Sequence, residues 1–481
     1  MDATRERLRI AGAELADRRD AGPQDVRIEA GRIVAIGRHL PEVRGEPVLD
    51  ARGAALLPGL HDHHIHLLAL AAAESSARCG PPAVRNPHEL AEALSRCELR
   101  QGWIRGIGYH ESVAGELDRW QLDRLAPEFQ QKLIRIQHRS GALWILNSEA
   151  VRRLGLDDAD TLPEGVERDG RGRVTGRLLR LDDWLRERLS GDPLPDLEPV
   201  GRRLARYGVT GVTDATAGNS EAELVTLTAA VTSGRLPQRL LVMGRLELPL
   251  PRHPNLERGA VKLILNEGDL PHFDALERLI RRAHRSGRPV AFHCVTRSEL
   301  VLAATALAAA GSQPGDRIEH ASVAPPDAVE LLAELPVTVV TQPNFILERG
   351  DAYLRDVDAA DLPWLYRCRG FLDAGILLGG GTDAPFGDPD PWLAIRAAVE
   401  RRSAAGARLG DEEALTPERA LALFASPPEA PGAPPRLLDV GSEADLCLLD
   451  RPWAEARKEL SSDLVVATLR CGQVIWPTAD T

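Results

Sequence analysis

The middle of the chain alternates short apolar runs with segments rich in alanine, leucine and arginine. Such alternation is typical of parallel strands that are covered by helices on both faces. The runs predicted to be strands are LLPGLHDHHIHL, IRIQH (134–138), GVTGVTDAT (208–216), RLLVMG (239–244), AVKLIL (260–265), RPVAFHC (288–294), DRIEHA (316–321), VTVVTQP (337–343) and GILLGGGTDAP (375–385). Their number predicts an α/β fold with a TIM-type (β/α)8 barrel and one strand outside the ring.

A doubly wound open sheet is the structural alternative to a barrel. That fold would favour a glycine-rich GxGxxG turn between the first strand and its helix. No such motif follows the first strand here. The barrel is therefore the preferred prediction.

Near both ends of the chain, apolar and polar residues alternate with the period of two that is typical of β-strands. DVRIEAG, GRIVAIG and AALLPGL lie near the start, and ADLCLLD and LVVATLRCGQVIW lie near the end. Because chain termini often meet, we expect these strands to form one small β-domain. The predicted domains are residues 1–58 and 426–481 for the small β-domain and 59–425 for the barrel, with an insertion at about 70–200 near its start.

Composition and charge limit the kinds of molecule that the protein is expected to bind. The 481 residues include 59 Lys+Arg and 71 Asp+Glu, a formal charge of −12, which argues against nucleic acid and anionic lipid. The apolar run Leu300 to Ala310 is about half as long as a membrane span, and MDATRERLRI does not resemble a signal peptide. The six cysteines contain no CxxC pair. We expect a cytoplasmic protein that binds a small molecule.

The strongest cluster of candidate functional residues is His61-Asp62-His63-His64-Ile65-His66. Residues two apart on a strand point to the same side, so His64 and His66 can reach into a barrel mouth together. Neutral imidazoles at this spacing suit Zn²⁺ or a similar ion. A histidine-rich loop, or core histidines that bond to carbonyls, is the alternative for this motif taken alone.

Later strands end in further polar residues, namely His293, His320 and Asp383. The carboxyl ends of barrel strands all face the active site, so these side chains are expected to meet His64 and His66. Each residue alone would more often be a helix cap or a hydrogen-bonded core residue. Their joint occurrence predicts a metal site.

Lys262 lies in the apolar run AVKLIL of a chain that contains only two other lysines, Lys132 and Lys458. Burial lowers the pKa of an ammonium group. The neutral amine can react with CO₂ to form a carbamate, which can bridge two cations, whereas arginine stays protonated. A lysine paired with a carboxylate, or one that extends to the strand edge, is the alternative.

These motifs, taken in order, resemble the amidohydrolase superfamily and, within it, the amidohydrolase-3 group that includes N-substituted formamide deformylases. The resemblance covers the segments GRIVAIG…VLDARGAALLPGLHDHHIH, GTDAP, LTPERALALFA and VGSEADLCLLD. It implies a distorted barrel with a small β-domain from both termini, and a homodimer. It also implies one or two divalent ions, most simply zinc, held by His64, His66, carbamylated Lys262, His293, His320 and Asp383.

The reaction expected of such a site is hydrolysis of an amide, cyclic amide or related C–N bond by a metal-bound hydroxide. Asp383 would accept a proton from the hydroxide and pass it to the leaving nitrogen. If Lys262 is unmodified, a one-metal site of His64, His66, His293 and Asp383 would serve. A lactonase that uses the same site, and a binding protein on a catalytically inactive barrel, are the alternatives.

Substrate-facing positions depart from the family pattern. His293 is followed by Cys-Val-Thr-Arg-Ser-Glu where HAIGDRA is common, so formamide hydrolysis is not carried over to this chain. The residues predicted to contact substrate are Tyr109, His138, Arg139, Gln342 and Asn344. Packing or loop hydrogen bonding is the alternative for each of them.

Overall fold

The computed structural model describes residues 7–81, 83–99, 102–159, 161–189 and 195–477. The chain forms two compact units, one of Met1–Leu67 with Leu197–Thr481 and one of Leu68–Asp196. The domain boundaries given above for the barrel and the β-domain stay predictions. Within the described residues, every helix is too short or too polar to cross a membrane.

Eight parallel strands form a nearly closed barrel in the first unit, and they are ordered in space as they are in sequence. They are β1 (Leu60–Ile65), β2 (Val209–Asp214), β3 (Arg239–Gly244), β4 (Leu256–Ile264), β5 (Val290–Cys294), β6 (Arg317–His320), β7 (Thr338–Thr341) and β8 (Leu377–Gly380). All eight overlap predicted runs, and the predicted TIM-type barrel is confirmed.

The segment after β8 brings the two edge strands of the barrel together. The backbone N–H of Asp383 donates to the carbonyl of His64 at 2.8 Å, and that of His66 donates to Ala384 at 2.9 Å. Gly381 permits this approach, since a Cβ at that position would lie 2.5 Å from the Cβ of His64. The residues that follow β8 therefore hold Asp383 beside the histidines of β1.

Helices follow most of the barrel strands along the chain, but β3 leads to β4 without one. The α-helices of the barrel unit are Glu198–Arg206, Glu221–Thr232, Phe273–Arg285, Arg297–Ala310, Pro326–Ala333, Asn344–Asp356, Arg369–Asp373, Pro391–Glu400, Pro417–Ala425 and Trp453–Ala456. Several begin with a side-chain cap; Thr296, for example, accepts a hydrogen bond from the backbone of Glu299 in a capping box.

A second sheet in the same unit combines strands from both ends of the chain. Its strands are Arg7–Leu15, Gln24–Glu29, Arg32–Gly37, Val48–Asp50, Ala55–Pro58, Leu446–Leu449, Val465–Arg470 and Gln473–Trp476. Ile10, Val26, Leu446 and Leu469 are among the fully buried side chains of its core. Burial of these apolar surfaces joins segments more than 400 residues apart.

The second unit has its own mixed sheet, with strands Ala77–Arg78, Trp103–Tyr109, Leu133–His138, Leu143–Leu146, Val166–Arg168 and Val174–Leu179. Its helices are Pro87–Arg96, Glu111–Ala114, Arg119–Leu125, Ser148–Arg153 and Asp182–Arg188, and Leu67–Glu74 spans the boundary between the units. The run IRIQH is a strand of this sheet, so it is the predicted strand that lies outside the ring.

Arg288 ties the start of β4 to the end of β3. Its guanidinium is 2% exposed and donates to the carbonyls of Gly259 and Ala260 at 3.0 and 2.9 Å. It also donates to Arg245 and Leu246 at 2.6 and 3.0 Å. One buried side chain thus pairs two carbonyls on β4, the strand that carries Lys262, and two carbonyls in the segment after β3.

Replacing Arg288 with methionine is expected to lower the free energy of unfolding by about 3 kcal/mol, because it removes the side-chain partner of two buried carbonyls and two partly buried ones. Urea denaturation would measure the change. Arg285→Met, at an exposed position in the preceding helix, is the matched control and should change stability by less than about 0.5 kcal/mol. Equal effects of the two substitutions would contradict the structural role of Arg288.

Candidate metal centre

Two pairs of histidines on and beside β1 point in different directions. His61 Nε2 lies 2.9 Å from Thr213 Oγ1, and His63 Nε2 lies 2.9 Å from Ser426 Oγ. His64 and His66 instead place Nε2 3.4 and 3.1 Å from Oδ1 of Asp383. The structure therefore brings together the two histidines that the strand alternation groups on one side.

Three histidines at the barrel mouth have their Nδ1 atoms held by other side chains. The pairs are His64 with Glu319 Oε2 at 2.5 Å, His66 with Thr216 Oγ1 at 2.8 Å and His320 with Gln342 Oε1 at 2.6 Å. A histidine that ligates a metal through Nε2 commonly donates its Nδ1–H to an oxygen, which fixes the ring and its tautomer. Each ring is thus oriented with Nε2 available to a ligand.

One of these Nε2 atoms has no hydrogen-bond partner within the described residues. His320 is 3% exposed, and its Nε2 is buried and unpaired. Ligand atoms of His64, His320 and Asp383 all lie within 4.8 Å of one another. Two imidazole nitrogens and a carboxylate oxygen form a donor set that suits zinc, and a cation would satisfy the unpaired nitrogen.

The backbone at this mouth is strained at three residues. His320, Ala321 and Asp383 have φ of 70°, 45° and 57°, in the left-handed region that non-glycine residues rarely adopt. Such conformations persist where the surrounding structure enforces them, and they concentrate at functional sites. Here they occur at His320 and Asp383, two of the three residues whose ligand atoms lie within 4.8 Å of one another.

Asp383 is kept ionised by its neighbours. Burial alone would raise the pKa of its carboxyl, but hydrogen bonding with His64 and His66 holds that pKa well below its ordinary value. The carboxylate is thus negatively charged at neutral pH. It can bind a cation or accept a proton there.

His293 and Lys262 extend the site along β4 and β5. The ring of His293 lies 4.5 Å from that of His320, and burial lowers the pKa of His293 to about 3, so the imidazole is neutral. Lys262 Nζ is buried without a hydrogen-bond partner among the described residues. Burial also lowers the pKa of Lys262 to about 8, so part of this amine is neutral near pH 7.

Glu319 is a residue of the site that the sequence analysis missed. It is fully buried, and its carboxylate lies 2.5 Å from His64 Nδ1, 3.9 Å from Lys262 Nζ and 2.8 Å from Arg317 Nε. Burial alone would raise its pKa, but Arg317 and Lys262 hold it well below the ordinary value. An acidic residue inside the apolar run DRIEHA is the signal that would have identified it.

The residues predicted to contact substrate lie in both units, and their roles stay predictions. In the barrel unit, Gln342 orients His320, and Asn344 Nδ2 donates to Thr382 O at 3.0 Å. In the second unit, the buried Tyr109 donates its hydroxyl to Gly115 O at 2.7 Å. His138 lies 3.2 Å from Glu111 there, and Arg139 follows it directly.

Glu443, Asp445 and Cys471 form a second group with ligand atoms within 4.8 Å of one another. Asp445 is already paired with Arg470 at 2.9 Å and lies 3.7 Å from Arg436. These two cations offset the negative charge that would attract a metal. The barrel mouth is therefore the candidate site.

Comparisons with known proteins show the family to which the chain is similar and its fold. The model of a family described as the amidohydrolase family matches residues 47–476. An N-substituted formamide deformylase of Arthrobacter pascens is 28% identical over 92% of each chain, and the putative amidohydrolase YtcJ of Bacillus subtilis is 27% identical over 85% of this chain and 86% of its own. A crystal structure of an uncharacterized metal-dependent hydrolase from Pyrococcus horikoshii superposes with a TM-score of 0.74 at 21% identity, covering 92% of this chain and 97% of the other.

Proposed function

Since the chain belongs to the amidohydrolase family and is a metal-dependent amidohydrolase, we propose that it cleaves an amide, cyclic amide or related C–N bond of a small molecule. The observation that carries the proposal is the convergence of His64, His66 and His320 on Asp383, each ring held through Nδ1. This arrangement suits a divalent ion, because a histidine that ligates a metal commonly has its other ring nitrogen held by an oxygen.

The proposed ligands are His64, His66, His293, His320 and Asp383, with Lys262 as a further ligand if its amine is carbamylated. A divalent ion held there would polarise the carbonyl and lower the pKa of water towards ~7. The buried, partly neutral amine of Lys262 supports carbamylation, and a carbamate would allow two ions. The ion pair of Lys262 with Glu319, at 3.9 Å, supports the one-ion version.

Asp383 is the proposed general base and acid. Its carboxylate is ionised at neutral pH and faces the same point as His64 and His66. It would take a proton from the attacking water and deliver it to the leaving nitrogen, so that an amine departs rather than an amide anion. His64 and His66 hold the carboxylate in place for both transfers.

Glu319 acts in this proposal as a positioning residue. Glu319→Gln would keep the shape but remove the charge that orients His64, and we expect metal affinity to fall by about 10- to 100-fold. Competition with a chelating indicator would measure that affinity for zinc. Glu330→Gln, on an exposed helix position, should leave it unchanged. Unaltered zinc affinity in Glu319→Gln would contradict this role.

A lactonase or ester hydrolase is the second candidate function, because the same groups would activate water against an ester. The relative's name favours the amide, since the Arthrobacter protein is a formamide deformylase at 28% identity. A binding protein without activity is the remaining alternative. Zinc, the carbamate, a homodimer and a cytoplasmic location stay predictions.

A panel of amides, cyclic amides and lactones assayed with zinc-loaded protein tests the proposal. We expect turnover of members of the amide classes at rates above those of lactones. Turnover of lactones alone would support the lactonase. No turnover by protein with a full metal content would support the binding protein and contradict the proposed function.

A further inference from the structure

Three polar side chains beside the metal centre have no part in the mechanism above: Arg349 and Tyr353 on the helix Asn344–Asp356, and Tyr366 after it. Phe386 links this group to the centre. Its ring lies 5.5 Å from that of His66, and its backbone N–H donates to Asp383 O at 2.8 Å. Its carbonyl accepts a hydrogen bond from Arg349 Nη2 at 2.6 Å, so the guanidinium is tied to the turn that carries Asp383.

The guanidinium of Arg349 is held in place, and the carboxylates that act on it, Asp383 and Glu348, do so without forming a close ion pair. Its central carbon lies 3.9 Å from the centroid of the Phe345 ring, which fixes the plane of the group. Of the carboxylates that the structure describes, none forms an ion pair with it, and the bond to Phe386 uses one of its five N–H groups. Arg349 is only partly buried, and none of its nitrogen atoms is among the buried, unpaired polar atoms of the described residues.

Two tyrosine hydroxyls accompany Arg349. The hydroxyls of Tyr353 and Tyr366 lie 3.3 Å apart, and both phenols interact electrostatically with Arg349. Tyr366 is 3% exposed, has a strained φ of 43°, and its backbone N–H donates at 2.9 Å to Ser322 O, two residues after His320. The strained backbone of Tyr366 and its bond to Ser322 hold this phenol near the end of β6, with its ring against those of Phe345 and Tyr353.

We propose that Arg349, assisted by the hydroxyls of Tyr353 and Tyr366, binds a carboxylate of the substrate, so that the amide cleaved at the metal centre is one that also carries an acidic group. The planar guanidinium fork matches a carboxylate, and phenol hydroxyls supply further donors. This inference rests on the proposed function and narrows its substrate class. An arginine that only braces the turn at Phe386 is the alternative.

The test uses matched pairs of N-acyl compounds, such as N-acetylleucine and N-acetyl-3-methylbutylamine, which differ only in the carboxylate. We expect zinc-loaded wild-type protein to favour the acidic members in kcat/KM by about 10- to 100-fold. Arg349→Gln should bring that ratio close to one, mainly through KM, and Arg349→Lys should give an intermediate ratio because lysine keeps the charge but not the fork. Arg355→Gln, exposed on the same helix, should leave the ratio unchanged.

The outcomes separate this inference from the function on which it rests. Turnover of both members of each pair without preference would overturn the inference alone. An equal loss on acidic and neutral members in Arg349→Gln, or in Arg349→Lys if the glutamine variant does not fold, would assign Arg349 to bracing the turn and would also overturn it. If the zinc-loaded protein turns over neither member of any pair and no amide of the panel, the proposed function is overturned and the inference with it.

Discussion

Removal of divalent ions with a chelator is expected to lower amide hydrolysis by at least about 10³-fold, and zinc should restore it. The reason is the set of groups at the barrel mouth. His320 Nε2 is buried without a partner among the described residues, and His64 and His66 turn toward the carboxylate of Asp383. None of these groups supplies the electrophile that an amide carbonyl requires.

The chelated protein should also be less stable, because an ion that binds only the folded state adds to the free energy of unfolding. Urea denaturation with and without zinc measures this change, and circular dichroism of the chelated protein shows whether it remains folded. Full activity in folded protein shown by elemental analysis to be free of metal would contradict the dependence on a divalent ion.

Asp383→Asn is expected to lower kcat by about 10³-fold at saturating zinc, within the range ascribed to a positioned acid or base. Asparagine keeps the size of the side chain but cannot accept the proton that the leaving nitrogen needs. Because hydrogen bonds hold the pKa of Asp383 well below its ordinary value, the wild-type carboxylate is in the required form at neutral pH. The measurement is kcat on the amide identified by the panel.

Asp373→Asn, at an exposed position, is the matched control and should change kcat by less than twofold. Metal content must be measured in parallel, since Asp383 is also a proposed ligand. A variant at Asp383 that is fully loaded with zinc and retains wild-type kcat would contradict the proton-transfer role.

The barrel was predictable because its strands are buried on both faces and so appear as near-continuous apolar runs. The strand Arg7–Leu15 was not predicted. Its pairing shifts register between Ile10 and Ala13, where Gly12 has a φ of 64°, and this irregularity breaks the alternation that identifies a strand.

The candidate site was predictable as far as strand ends could indicate it, which applies to His64, His320 and Asp383. Glu319 was missed because one charged residue in a short run resembles the exposed face of a strand. Its role depends on neighbours such as Arg317 that only the folded chain supplies. The substrate contact of Gln342 stays a prediction. Its contact with His320 was not predicted, because it depends on the alignment of neighbouring strands.

The group around Arg349 carried no sequence signal at all. Helix residues such as Arg349 are indistinguishable from surface arginines in a chain that contains 56 of them. Their proximity to Asp383 follows from the position of Phe386 in the turn after β8. Tertiary packing, rather than local pattern, determines such contacts.

Anomalous scattering at the zinc absorption edge, from crystals of zinc-loaded active protein, tests the central claim most directly. We expect a peak at ligand distance, about 2.0–2.2 Å, from nitrogen atoms of His64 and His320 and an oxygen of Asp383. A second peak beside His293, with added density on Lys262 Nζ, would identify the two-ion form. Absence of any peak at the barrel mouth in crystals of active, zinc-saturated protein would contradict the assignment of the metal centre.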